Sequence, residues 1–167
     1  MTHRNLAFWL IPCPEDSSNL QSIIGDFAKR YDAPVFKPHL TLCYGQFSDE
    51  ATPWGNLPEI APISLPVLGV DSTAQYTKTL FLRFPRHERL LALKESLLEQ
   101  CPKPDTHIMD PHLSLLYAEL PLSEKQQLAK NLIPPLSNVC FTEIQVIQHP
   151  ATVTKKEDVE AFREVKA

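Results

Sequence analysis

The sequence predicts an α+β fold built from two related halves. Three observations carry this expectation. The first is an internal echo: Phe36-Lys-Pro-His-Leu-Thr-Leu-Cys-Tyr-Gly45 returns 73 residues later as Met109-Asp-Pro-His-Leu-Ser-Leu-Leu-Tyr-Ala118. Pro, His, Leu, Leu and Tyr coincide, and Thr is exchanged for Ser. The second is that short apolar runs alternate with amphipathic stretches of helical spacing, and each copy of the echo has a helical stretch before it. The third is size. At 167 residues and 43% hydrophobic content, the chain can bury the core of one domain without disulfides or a structural metal.

The elements follow in order. Leu6 to Ile11 reads as a buried strand, stopped by Pro12 and Pro14. Glu15 to Tyr31 reads as a helix: Asp16, Ser17 and Ser18 offer caps, and Leu20, Ile23, Ile24, Phe27 and Tyr31 form its stripe. His39 to Tyr44 is a short strand, and Gly45 to Pro62 a connection. Ile63 to Val70 and Lys78 to Phe84 read as strands around a polar turn at Asp71 to Gln75. His87 to Gln100 is a helix with Leu90, Leu93 and Leu97 on its apolar face, ended by Pro102 and Pro104. His112 to Tyr117 is a strand and Ser123 to Leu132 a helix, where Ser123 and Gln126 have capping-box spacing. Val139 to Ile147 and Val159 to Val165 read as closing strands; the periodicity of the second also fits a helix.

Composition narrows the function. Sixteen basic against 20 acidic residues give a net charge of −4, which argues against a surface that tracks the phosphates of long nucleic acid. No apolar run approaches the ~20 residues of a membrane span. Met1 to Arg4 leads into only seven apolar residues, Leu6 to Pro12, so no leader is expected. Cys13, Cys43, Cys101 and Cys140 form no CxxC pair and no zinc spacing, and read as free thiols of a cytoplasmic protein.

The echo carries chemistry. On a strand His39 and Thr41 share a face, as do His112 and Ser114, while Leu40, Leu42, Leu113 and Leu115 point the other way into a core. Residues two apart lie roughly 6–7 Å apart, so an imidazole and a hydroxyl can converge on one phosphate. Two facing strands would supply two of each. One neutral imidazole can activate water while a protonated one delivers a proton to the leaving oxygen. One such segment alone would read as a strand with a satisfied histidine. Two copies, each pairing His with a hydroxyl, favour the functional reading. A structural zinc on the two histidines lacks two further ligands, and no carboxylate cluster is evident for a divalent metal.

The paired motif, His39-Leu-Thr-Leu42 and His112-Leu-Ser-Leu115, resembles that of the 2H phosphoesterases. The stretch Leu80-Phe-Leu-Arg-Phe84, the following helix and Pro111 to Tyr117 are most similar to the cyclic nucleotide phosphodiesterases of plants and yeast. Ala118 departs from the glycine expected there. The resemblance implies one domain over residues 1–167 with two interleaved, pseudo-symmetric lobes. Each lobe would have an antiparallel sheet with helices packed outside, and the active site would lie in the cleft between. It also implies metal-independent hydrolysis of 2′,3′-cyclic nucleotides or ADP-ribose 1″,2″-cyclic phosphate to phosphomonoesters, with no cofactor. His39 and His112 would be catalytic, the first as acid and the second as base. Thr41, Ser114 and Tyr117 would hold the phosphate. Strict alternation places Tyr117 on the Leu113 and Leu115 face, so it needs a bulge or strand end to reach a cleft. A monomer acting on a small nucleotide, with no membrane or long nucleic-acid partner, is expected.

Other residues read as follows. Cys43 shares the His39 face and is expected as a small cleft-wall residue. Trp9 and Tyr76 can stack a base, but core or turn positions suit them better. Lys78 and Arg83 can supply a phosphate contact, but a solvated strand face suits them better, and His3, His87, His107 and His149 read as surface or loop residues. Two alternatives stay open: a phosphodiesterase for RNA ends or 2′,5′-linked oligonucleotides, and a non-catalytic nucleotide-binding module.

Overall fold

The computed structural model describes residues 2–166. The strands are β1 (His3–Pro12), β2 (Leu40–Ser48), β3 (Ile63–Pro66), β4 (Gly69–Ser72), β5 (Leu80–Arg83), β6 (Lys103–Pro104), β7 (His112–Leu116), β8 (Asn138–His149) and β9 (Arg163–Glu164). The helices are α1 (Pro14–Tyr31), α2 (Glu88–Leu98), α3 (Leu122–Asn131) and α4 (Lys156–Glu160). Among the described residues no helix is long and apolar enough to cross a membrane.

The strands form one antiparallel sheet in the order β3-β8-β1-β2-β7-β5-β4, with β6 added on β2 and β9 on β8. The two half-sheets that the echo leads one to expect are joined at a single bridge, Leu40 to Leu113. These are equivalent residues of the two copies, so a local two-fold axis passes between them. Helix α1 leads from β1 into β2, and α2 lies between β5 and β7, followed by the short β6. Each packs against the motif strand of the opposite half, α1 on β7 and α2 on β2. Leu40, Leu42, Leu113 and Leu115 are buried in the main core with Leu20 and Ile24 of α1 and Leu90 and Leu97 of α2.

Local chemistry accounts for most boundaries. Pro14 opens α1, where a missing N–H costs nothing. Asp32 closes it in the left-handed region at φ 49°, and Ala33 N–H donates to the Ala28 carbonyl at 2.9 Å. Asp16 and Ser17 do not cap α1: Asp16 accepts from the Cys140 N–H, and Ser17 donates to the Pro12 carbonyl. His87 caps α2 by accepting from the Arg89 N–H at 3.1 Å.

The structure corrects four expectations. Strand β2 runs on to Ser48, so the connection begins later than Gly45. Ile63 to Val70 is two strands on opposite edges of the sheet. Only Val67 and Leu68 separate them, and these bond to Ser137 and Arg83 respectively. The sheet is therefore bent until its edges come close. Helix α3 starts after Pro121, so Ser123 lies inside it and forms no capping box. Val159 sits in helix α4, where it is the buried residue, and only Arg163 and Glu164 of that stretch pair as a strand.

Candidate functional site

Both motif strands carry a register shift at the same place. Along β1 and β2, Trp9 pairs with Thr41 but Phe8 with Cys43, leaving Leu42 as the extra residue. Along β5 and β7, Phe81 pairs with Ser114 but Leu80 with Leu116, leaving Leu115 extra. A bulge inserts one residue and reverses the alternation beyond it. Tyr44 and Tyr117 are thereby turned to the side of His39 and His112. Cys43 turns the other way, into the main core, and is not a cleft-wall residue. Its thiol is pushed up to about 12, chiefly by burial, which keeps it unreactive.

A cavity of about 470 Å³ opens on this face. His39, Thr41, His112, Ser114 and Tyr117 all line it. The two rings are held alike. His39 Nδ1 donates to the Lys37 carbonyl at 2.6 Å, and His112 Nδ1 to the Asp110 carbonyl at 2.7 Å. A carbonyl only accepts, so Nδ1 carries the proton in the neutral ring and Nε2 keeps its lone pair. Ser114, 3% exposed, donates its hydroxyl proton to the Thr77 carbonyl at 2.9 Å.

The surroundings of the two rings differ. His39 is 6% exposed and lies flat on Trp9, with centroids 3.5 Å apart and planes at 6°. Its pKa is lowered to about 3, first by burial, with His112 adding to the fall and the Lys37 carbonyl opposing it. Phe81, the counterpart of Trp9, meets His112 edge-on at 5.4 Å. The His112 pKa is also lowered, first by burial and further by the Lys78 cation, against the Asp110 carbonyl and carboxylate. Lys78 pairs with Asp110 and sits over the Phe81 ring.

Residues that the sequence reading set aside also line the cavity. His149 and Lys78 do so, correcting their surface and strand-face readings; Trp9, buried in a core cluster as expected, and His107, in an exposed loop as expected, reach it too. His107 pairs with Asp105, and His149 donates from Nδ1 to the Pro150 carbonyl at 2.8 Å. His3 is exposed and Arg83 pairs with Asp71 at 3.7 Å, as solvated positions. Tyr76 lies in a 3-10 turn against Tyr117, outside the cavity. The signal that could have found Tyr44 is its place in the echo, at the same offset as Tyr117.

Neither a family model nor a curated protein matches the chain. Solved structures do. E. coli LigT complexed with 3′-AMP superposes with a TM-score of 0.62 at 17% identity, covering 99% of this chain and 97% of that one. The chain has the LigT fold. LigT in apo form gives a TM-score of 0.62 at 18% identity, covering 99% and 96%. A crystal structure described as a phosphoesterase gives 0.60 at 17% identity, covering 98% and 96%. The likeness spans both halves of the chain.

The dry seat of His39 has a consequence for stability. Its folded pKa lies far below the unfolded value, so the unfolded chain takes up the proton first as pH falls. The contribution is whole above about pH 6.5 and is lost on acidification towards about pH 3; in full it is on the order of 4 kcal/mol. Between about pH 6.5 and 5 most carboxylates stay ionised, which isolates the histidines. Urea unfolding across that window should show a fall in stability that is smaller in His39→Phe. An equal fall in both proteins would mean that His39 is not held neutral.

Proposed function

We propose that the chain is a 2H phosphoesterase that hydrolyses small cyclic nucleotide phosphodiesters without a metal. The observation that carries this reading is the paired arrangement. Two Nε2 atoms, tethered identically through Nδ1, share one cavity with two hydroxyls. Crystal structures of LigT with phosphate, ATP and NADP+ add that a protein of this fold holds phosphate and nucleotides.

The chemistry then follows. Thr41 and Ser114 donate to the non-bridging oxygens, Ser114 by turning its proton from the Thr77 carbonyl. One imidazole takes a proton from water as the new O–P bond forms. The other gives its Nε2 proton to the ribose oxygen as the old O–P bond breaks, leaving a phosphomonoester. A phosphate anion between the rings favours their charged forms and raises both pKa values. An acid role for His39, as the resemblance implies, depends on that rise, because burial lowers its pKa first. Tyr117 closes the cradle. Its phenol is raised by burial above the usual range, so it remains a protonated donor.

The test is hydrolysis of a 2′,3′-cyclic mononucleotide in excess EDTA, followed by phosphorus NMR. A phosphomonoester signal is expected, and its position names the bond cleaved. Activity that vanishes with the chelator and returns with a divalent ion would overturn the two-histidine mechanism.

A further inference from the structure

The pseudo-symmetry of the cleft is broken at the two bulge-turned tyrosines. Tyr117 is 4% exposed and stacked on Phe36, with centroids 4.0 Å apart and planes at 11°. That face of its ring is already covered. Its counterpart Tyr44 is 46% exposed, although it lines the same cavity and its strand neighbours Cys43 and Gly45 are buried. An open aromatic ring in one half only calls for an occupant that is not repeated in the other half. The nucleoside of a nucleotide is such a group, since the phosphate alone lies near the two-fold axis.

Resting on the phosphoesterase reading, we propose that Tyr44 is the platform on which the substrate's nucleobase stacks, with Asn5 and Gln46 reading the edge of the base. Because the bulge lies between them, Thr41 sits opposite Trp9 and Tyr44 opposite Ala7, two residues or about 7 Å along β1, so a ribose bridges from the phosphate to the ring. The ring is set before any ligand arrives. His149 meets it edge-on at 5.6 Å, and the Tyr44 carbonyl accepts from the Asp105 N–H at 3.2 Å. Asn5 and Gln46 also line the cavity, and Gln46 Nε2 donates to Asn5 Oδ1 at 3.3 Å. That bond leaves the Asn5 amide its donors and the Gln46 amide its acceptor. Uncharged donors and acceptors beside a π face suit a planar base rather than a second phosphate.

Calorimetry with adenosine 2′-monophosphate and with inorganic phosphate tests this. Tyr44→Ala should weaken nucleotide binding about 5-fold or more, the effect of one lost base–aromatic stack, and weaken phosphate binding much less. Tyr44→Phe keeps the ring and should keep the nucleotide affinity. Gln46→Leu should change the ranking of adenine and uracil nucleotides while leaving phosphate binding intact. Phosphate binding in each variant also reports that it has folded. Equal weakening of both ligands by Tyr44→Ala, or nucleotide affinity indifferent to it, would overturn the platform while leaving the phosphoesterase reading in place. A parent protein that binds neither ligand would defeat that reading, and the platform with it.

Discussion

Alanine in place of either His39 or His112 is expected to lower kcat/KM for a 2′,3′-cyclic mononucleotide by at least about 10²-fold, the lower end of what a positioned acid or base contributes. The geometry supports a loss of that size at both positions. Each ring is tethered at Nδ1 by the carbonyl two residues before it, so each Nε2 is aimed by backbone rather than by a mobile side chain. Thr41→Ala and Ser114→Ala should cost less, because hydroxyls contribute hydrogen bonds to an anion that the histidines also hold. The double histidine variant should fall far short of the product of the single losses, since neither ring has a task once the other is gone. Steady-state rates for the four single variants and the double variant check this. Near-normal turnover in either histidine variant would place the chemistry elsewhere.

The same geometry shows which parts of the site were legible in the sequence. His39, Thr41, His112 and Ser114 were legible because the echo repeats a two-residue spacing, and period-two alternation holds over so short a span. The buried leucines between them were legible for the same reason. Alternation fails one residue later, at Leu42 and Leu115, because a bulge depends on pairing with β1 and β5 rather than on the bulged strand's own residues. Strict alternation therefore puts Cys43 on the wrong face and hides the side to which Tyr44 turns. The division of Ile63 to Val70 was hidden likewise. Its residue types suit a strand from end to end, but the partner changes from β8 to β5 within it. His149 lies beyond the apolar stretch that marked β8, so the sequence had no reason to bring it into the cavity.

The motifs repeat, but their settings do not, and this makes the halves unequal. Trp9 lies flat on His39, whereas its counterpart Phe81 meets His112 edge-on. Lys78, paired with Asp110, adds charge beside His112. One imidazole is thus seated among aromatic rings, and the other beside an ion pair. A coupled pair in identical settings would share a single proton equally between the two rings; unequal settings decide which ring holds it, as acid–base catalysis by a pair requires.

Binding of sulfate should weaken steeply as pH rises, by up to about tenfold per unit while one proton is taken up with the anion. Sulfate is the apt probe because its charge is constant from about pH 5 to 9, whereas phosphate titrates within that range. The sign follows from the two rings. In the free protein both pKa values are lowered, His39 to about 3, so both rings are neutral at pH 7. An anion held between them favours imidazolium and raises both. Binding therefore draws a proton from solution, and each rise in pH makes that proton harder to obtain. Calorimetric titration in two buffers of different ionisation enthalpy counts the protons directly. The parent should take up a proton near neutrality, and the uptake belongs to the coupled pair rather than to a named ring. His39→Ala and His112→Ala should each flatten the dependence, because the remaining ring has no partner to share the charge. A pocket of hydroxyls and backbone donors would bind sulfate with no proton uptake. The same steep dependence in all three proteins would mean that the histidines do not bracket the anion, and the cavity between the motif strands would not be the phosphate site.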